Sequence, residues 1–490
     1  MQCVLIGILL IEIAKKSFFR FVGLVSKQII MKPKQSLSQS IIIAPARTPV
    51  NNFWLVIAIF ALILSSCKKD MHDISTTTNT TNNLSDQPAN LGASVATDWY
   101  KLQLRFLLKK NSSLANGALF GYIGIGLYES VRNAKADALS FSSKLYQMPA
   151  MPAIDNSKKY NWEVSANAAM ADLTRKFFIG ISTADSTSID SLENAYNQKY
   201  NPGSDNFLRS QSYGKSIAAA IYSWRQTDDI NFTNTGYTIP SFPGSWVPTP
   251  PLYINPPVLP YLGNARTYLE EDLQGVAPEF PIPYSEDPNS RYYKIAKELY
   301  DISKNLTTEQ MNIASYWVDQ GDGIGYTPQG HDMSIITEVI EQENINLLKA
   351  AEAYAKAGIA ERDAAIICFR SKYKYTLIRP VSYIRKVIDT TWSPFIVTPP
   401  HPEYPAAHAL VTGSVMQAAS GVLGNHISFT DHTYDFRGWS PRSFASLFDA
   451  AEEAGISRLY GGIHYHISIH TGLQMAKDIG GKIGELQMRQ

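Results

Sequence analysis

From about residue 93 to the C-terminus, apolar positions recur at three- and four-residue intervals, the spacing that lines one face of a helix. Trp99, Leu102, Leu104, Phe106 and Leu107 begin one amphipathic stretch, and 118–131 (ALFGYIGIGLYESV) forms a strongly apolar one. The same reading predicts helices over 160–179, 183–199, 206–225, 289–304, 308–319, 332–357 and 359–377. No alternation of apolar and polar residues is long enough to argue for a sheet. The expectation is an all-α protein with a single large helical-bundle domain over 93–490. One segment breaks the pattern. Residues 240–260 hold eight prolines, which forbid helix there. Trp246, Tyr253 and Leu259 within it suit a long Pro-rich surface loop clamped onto the helical core.

The first 92 residues have a different character. Trp54 to Leu64 is an eleven-residue apolar run, about half of what a membrane-spanning helix needs. Lys32, Lys34 and Arg47 precede it, and Leu64-Ser65-Ser66-Cys67 closes it, an order typical of a secretory signal. That ending resembles the lipobox of bacterial lipoproteins, which implies lipidation of Cys67 and attachment to the bacterial cell envelope, on its periplasmic or outer face. Residues 1–66 are then a leader whose true start is better placed at Met31, and 67–92 a Thr-, Ser- and Asn-rich tether.

Composition narrows the function classes. The chain has 490 residues, 45% of them hydrophobic and 18% charged, enough apolar material for a large core. A formal net charge of +1 and no dense Lys/Arg stripe argue against nucleic acid as a partner. Of the three cysteines, Cys3 lies in the leader and Cys67 directly after it, so Cys368 has no disulfide partner and no zinc-type spacing exists.

Seven of the nine histidines fall between His401 and the C-terminus, where three segments form an ordered set. In Lys372 to Pro380 (KYKYTLIRP) the two cations Lys372 and Arg379 are seven residues apart, two turns if helical, and would share one face. In Pro402 to His408 (PEYPAAH), His408 enters the first turn of a helix running to about Ser420, where free N–H groups and the helix dipole favour an anion. In Ser457 to His464 (SRLYGGIH), Arg458 ends a helix, and Gly461 and Gly462 make the bend that brings His464 beside it. Two arginines, a lysine, a helix start and two histidines suit a tetrahedral oxyanion. One histidine can attack or ligate the central atom while the other moves a proton. Singly, each piece reads as a solvated helix face, a structural histidine or a turn residue; the ordered set carries the weight.

These segments resemble the three-part signature of the vanadium-dependent haloperoxidases and type-2 phosphatidic acid phosphatases: Lys-x6-Arg-Pro, Pro-Ser-Gly-His and Ser-Arg-x5-His-x3-Asp. The stretches ALFGYIGIGLYESV, WVPTPP and TPQGH (327–331) resemble secreted bacterial members of the haloperoxidase branch. The resemblance implies that His464 bonds vanadium, or is the phosphatase nucleophile. It implies that Lys372, Arg379 and Arg458, with Ala406 and Ala407, hold the oxyanion, that Lys372 is also catalytic in polarising the bound peroxide, and that His408 is the acid–base group. Vanadate is the implied cofactor, with phosphate as a competitor, and hydrogen peroxide and halide are the implied substrates.

Three departures stand out. Ala406 replaces Ser and removes a hydroxyl donor. Ala407 replaces Gly but keeps its N–H. Ser468 stands where Asp is expected, removing the group that would orient His464, a loss that weighs more against a phosphatase than against a vanadate holder. The readings are therefore a haloperoxidase, an acid phosphatase acting through a phospho-His464 intermediate, and a catalytically weakened phosphate- or vanadate-binding lipoprotein. His401, His426 and His432 are expected at the surface or behind the site; His331 is a candidate for the pocket wall. Asp319 and Asp322 are as readily helix-end charges as partners of a cation.

Overall fold

The computed structural model describes residues 91–108, 119–228, 230–319 and 325–490. The leader, Met31, Cys67, most of the tether and Asp322 lie outside the described residues. Among the described residues no helix is long and apolar enough to cross a membrane. They form thirteen α-helices and one two-stranded antiparallel pair. The helices are α1 (Ser94–Leu107), α2 (Phe120–Val131), α3 (Trp162–Phe177), α4 (Thr183–Asn197), α5 (Asp205–Gln226), α6 (Arg291–Lys304), α7 (Thr308–Tyr316), α8 (Pro328–Gln342), α9 (Leu347–Tyr375), α10 (Pro380–Val387), α11 (Ala407–Leu423), α12 (Leu447–Tyr460) and α13 (His466–Gly484). The strands are β1 (Phe429–Asp431) and β2 (Arg442–Phe444). The all-α expectation holds.

The local reasons are mostly caps. Asn161, Ser182, Ser204, Ser290, Thr307, Thr327, Asn346 and Ser446 each accept a backbone N–H from the first turn of the helix they precede, a contact worth about 1 kcal/mol. Helices α10, α11 and α13 begin without any side-chain cap, and these three start close to the histidines of interest.

Two boundaries differ from the sequence expectation. The break expected at Gly358 falls instead at 343–346, where Asn346 caps α9, and α9 runs unbroken through Gly358. Gly358 is there for contact with α2: a Cβ on it would lie 2.6 Å from the Gly121 nitrogen, so the two backbones touch only because both positions are glycine. The second difference concerns the cations. Lys372 and Arg379 do not share a helix face, because α9 ends at Tyr375 with Thr376 left-handed (φ 48°). Pro380 holds the preceding residue extended, at φ −76° and ψ 151°, so Arg379 becomes the residue before α10 and Pro380 its first turn.

Helix α9 is the axis of the fold, packed against α2 on one side and α11 on the other. Helices α11 and α13 make the most intimate pair. At Gly480 a Cβ would sit 2.5 Å from the Ser414 carbonyl, and at Gly413 2.6 Å from the Ala476 methyl. That close approach fixes the helix carrying His408 against the helix that follows His464. The Pro-rich segment packs as a loop, with Trp246 and Leu259 buried and the Trp246 N–H bonded to the Thr376 carbonyl at 2.7 Å. Tyr253, expected to pack, is 59% exposed.

Candidate active site

Helix α12 ends at Tyr460, and the chain turns through Gly462 at φ 77°, a conformation that favours glycine. The turn returns His464 to Arg458, whose carbonyl accepts the His464 N–H at 3.4 Å. From the other side comes Arg379, with Nη1 3.0 Å from His464 Nε2. A guanidinium can only donate, so Nε2 is the acceptor and Nδ1 carries the proton. That proton points at the Glu403 carboxylate, 2.9 Å away.

Glu403 is the residue the sequence reading missed. It is fully buried and accepts from His464 Nδ1, from the Tyr465 N–H at 3.1 Å and from the Ser468 hydroxyl at 2.7 Å. The orienting carboxylate expected at position 468 is therefore supplied from PEYPAAH, and Ser468 orients it. The departure at 468 moves the acid rather than deleting it. An acidic residue between two prolines in a His-rich segment was the available signal.

Lys372 is fully buried and gives its three protons to the carbonyls of Pro402, Glu403 and Pro405, at 3.0, 2.8 and 2.6 Å. It pins the loop that carries Glu403. Arg379 also holds this loop, through the His401 carbonyl and His401 Nδ1 at 2.8 and 3.0 Å. His401 is accordingly largely buried, neither at the surface nor behind the site but on the cavity wall. Ala406 donates its N–H to the Ser468 carbonyl, whereas α11 begins at Ala407 with no side-chain cap.

His408 faces a second carboxylate. Its Nε2 lies 3.7 Å from Asp319 Oδ2, too far for a hydrogen bond, and is buried with no partner. Asp319 is held by the Tyr434 hydroxyl and by His331 Nδ1 at 3.1 Å, and His331 Nε2 reaches Asp431 at 2.8 Å. His331 also stacks on Trp317 at 4.4 Å. It is buried between two carboxylates, not on the pocket wall. Arg458 donates to the Trp317 carbonyl and to Ser457 Oγ. His426, His466 and His470 are exposed, and His432 pairs at the surface with Asp435 at 2.8 Å.

Burial dominates the electrostatics. It pulls Lys372 down to about 7 and Arg379 and Arg458 down to about 10. Burial, then the Arg458 charge, pushes His408 down to about 4, so its imidazole is neutral near pH 7. His464 is held well below the usual range by burial and then by Arg379 and Lys372. Burial also opposes a charge on His331, but Asp319 and Asp431 outweigh it and hold it well above the ordinary value. Three basic side chains thus stand near two carboxylates, Glu403 and Asp319. Their depressed basicity is the signature of cations that an incoming anion would relieve.

A cavity of about 600 Å³ opens onto this array. Ala407, His408, Arg458, His464, His401 and Asp319 line its inner end, while Lys372 and Arg379 are not on its wall. The structure therefore brings His464, His408, Arg458 and the start of α11 to one space, with Arg379 against His464 and Lys372 supporting the loop.

Comparison with solved structures decides the family. The fold matches a bacterial vanadium-dependent iodoperoxidase with a TM-score of 0.72 and 31% identity, over 82% of this chain and 98% of that one. The chain belongs to the vanadium-dependent haloperoxidase family. Residues 386–490 match the family model described as the VCPO second helical-bundle domain. Two structures described as bacterial vanadium-dependent chloroperoxidase, apo-type and holo-type, share the fold. The apo-type form matches with a TM-score of 0.57 and 16% identity over 77% of this chain and 93% of that one, and the holo-type form with 0.53 and 17% over 82% and 93%. No curated protein sequence matches. Motif and fold thus agree on the haloperoxidase branch for this chain.

Proposed function

We propose that this chain is a vanadate-dependent haloperoxidase, oxidising halide with hydrogen peroxide: X⁻ + H₂O₂ + H⁺ → HOX + H₂O. The observation that carries the reading is the tautomer of His464, whose Nε2 lone pair is set by the Glu403 hydrogen bond on Nδ1. A neutral imidazole with its second nitrogen bonded to a carboxylate is the usual form of a metal-ligating histidine. The fit to an oxyanion rests on the excess of buried basic groups, the uncapped start of α11 and the unpartnered His408 Nε2. His464 would hold vanadate through Nε2 in place of its present bond from Arg379, whose freed N–H would meet an oxygen beside Arg458 and the Ala407 amide, with Lys372 fixing the loop behind. Bound there, vanadate supplies a Lewis-acidic centre that activates hydrogen peroxide toward halide. His408, neutral and facing Asp319, takes up and returns the proton. Asp319 sets a negative charge 3.7 Å from that ring, and His331, itself held by Asp431, keeps Asp319 in place.

Loading the protein with vanadate and measuring iodide oxidation tests the reading. His408→Ala should keep vanadate affinity within about tenfold and lower turnover by roughly 10²–10⁴, the usual worth of a positioned proton carrier. Equal loss of binding and turnover would remove the division of labour between the two histidines. Glu403 also favours a second reading, because a carboxylate behind His464 is what a phospho-histidine nucleophile needs. Ester hydrolysis by the phosphate-free, vanadate-free protein, assayed beside halide oxidation, separates the two.

We also propose a lipid anchor at Cys67, supported by the Leu-Ser-Ser-Cys sequence after the apolar run. Wild-type protein should partition with membranes and Cys67→Ser should appear in the soluble fraction, since stable attachment takes more than one acyl chain. Retention of an intact Cys67→Ser chain on membranes would point to a spanning segment instead.

A further inference from the structure

Halide and peroxide are each little larger than water, whose share of liquid volume is about 30 Å³. The cavity over the site is about 600 Å³, a size that suits a drug-like organic molecule. Its outer part is apolar, built by Phe232, Ile254, Val258 and Leu262 from the Pro-rich side and by Ala365 and Ile366 of α9. At the rim, Leu252 is 72% exposed.

One acid interrupts this apolar wall. Glu361 of α9 lines the cavity, is 1% exposed, and its Oε2 has no hydrogen-bond partner. The nearest cation, Arg362, favours its ionised form but is outweighed by burial and Asp332 and makes no hydrogen bond to it. The neighbouring Arg362 guanidinium is spent on Asp228 at 2.8 Å and on the Arg266 carbonyl at 2.9 Å. The other group near Glu361 is Asp332, itself buried with an unpartnered oxygen. A carboxyl so placed is a neutral acid, an O–H donor in an apolar wall; burial and then Asp332 push it well above the carboxylate range. Asp332 touches Thr412 at 3.3 Å, one turn of α11 beyond His408, and a turn is roughly 5.4 Å. Glu361 and His408 line the same cavity.

We propose that this cavity binds a neutral, electron-rich aromatic molecule bearing a carbonyl oxygen, with the Glu361 carboxyl donating to that oxygen and the ring lying toward His408, so that the molecule is halogenated where it is bound. The inference rests on the haloperoxidase reading. The net reaction is R–H + X⁻ + H₂O₂ + H⁺ → R–X + 2 H₂O. The halide loses two electrons to the peroxide O–O bond, the ring π electrons form the C–X bond, and the ring C–H proton leaves to the neutral His408.

The probe is 2-acetyl-6-methoxynaphthalene, an electron-rich neutral ketone, titrated calorimetrically into the full protein. Saturable micromolar binding is expected without vanadate. Glu361→Gln, which retains an N–H donor, should bind within about threefold, Glu361→Leu about tenfold more weakly, and Ala365→Trp not measurably. If Glu361→Leu fails to fold, Ala365→Trp decides the cavity and Glu361→Gln the donor. Vanadate affinity and a thermal melt on Ala365→Trp show separately whether the oxyanion site and the fold are kept, so that loss of ketone binding is not read as loss of either. With bromide and peroxide, the vanadate-loaded protein should give an isomer ratio different from that of reagent hypobromite. No saturable binding, equal affinity in Ala365→Trp, or the reagent isomer ratio would overturn the proposal. A protein that binds the ketone but oxidises no halide would instead overturn the haloperoxidase reading and leave the binding site standing.

Discussion

Replacing His464 with alanine is expected to bring vanadate-dependent halide oxidation to background and vanadate binding below detection, while leaving the protein folded. Nε2 is the lone pair that Arg379 and Glu403 together hold in place, and no other group at this end of the cavity is placed to ligate in its stead, Arg458 and the Ala407 amide being donors. Truncation leaves a gap beside the existing cavity, a change that the neighbouring helices tolerate. Calorimetric titration with vanadate, an iodide assay and a thermal melt on one preparation check all three statements. Measurable turnover near the wild-type rate would remove His464 from the chemistry.

The second large effect is expected at Glu403. Glu403→Gln should lower turnover by about 10⁴, the cost of removing the carboxylate behind a catalytic histidine in a serine-protease triad, because an amide no longer dictates which ring nitrogen is protonated. Glu403→Leu should also cost roughly 3–5 kcal/mol of stability, since Lys372 and Arg379 would remain buried without their counter-charge. Both variants remove that counter-charge, so denaturant unfolding should show a lowered midpoint in each, the larger loss in Leu, which also leaves His464 Nδ1, the Tyr465 N–H and the Ser468 hydroxyl without an acceptor. A Gln variant with wild-type turnover would show that the tautomer of His464 is fixed by Arg379 alone.

Much of this was legible in the chain. The helices over 162–177, 183–197 and 205–226 follow from three- and four-residue apolar spacing framed by Asn, Ser and Thr caps. His408 at a helix start and His464 after a glycine bend were equally readable, because local backbone rules decide both. What the sequence could not give were contacts between segments distant along the chain. Glu403 and His464 are 61 residues apart, and Asp431 and His331 are 100 apart. Pairing of this kind depends on how α8, α11 and α13 pack, and no periodicity encodes it. Gly358 misled for a related reason. Read locally it breaks a helix; in the fold it admits the backbone of α2.

The placement of the orienting acid on the loop before α11 changes how relatives of this chain can be recognised. A search pattern that demands aspartate four residues after the histidine treats Ser468 as a lesion and discards the sequence as a degenerate copy. In this architecture the informative position is 61 residues upstream, and the hydroxyl at 468 is its companion: Glu403 and Ser468 form one unit at 2.7 Å. Substitutions at these two sites should therefore travel together among descendants, an acid on the loop with a small hydroxyl on the helix, or an acid on the helix with the loop freed from that duty.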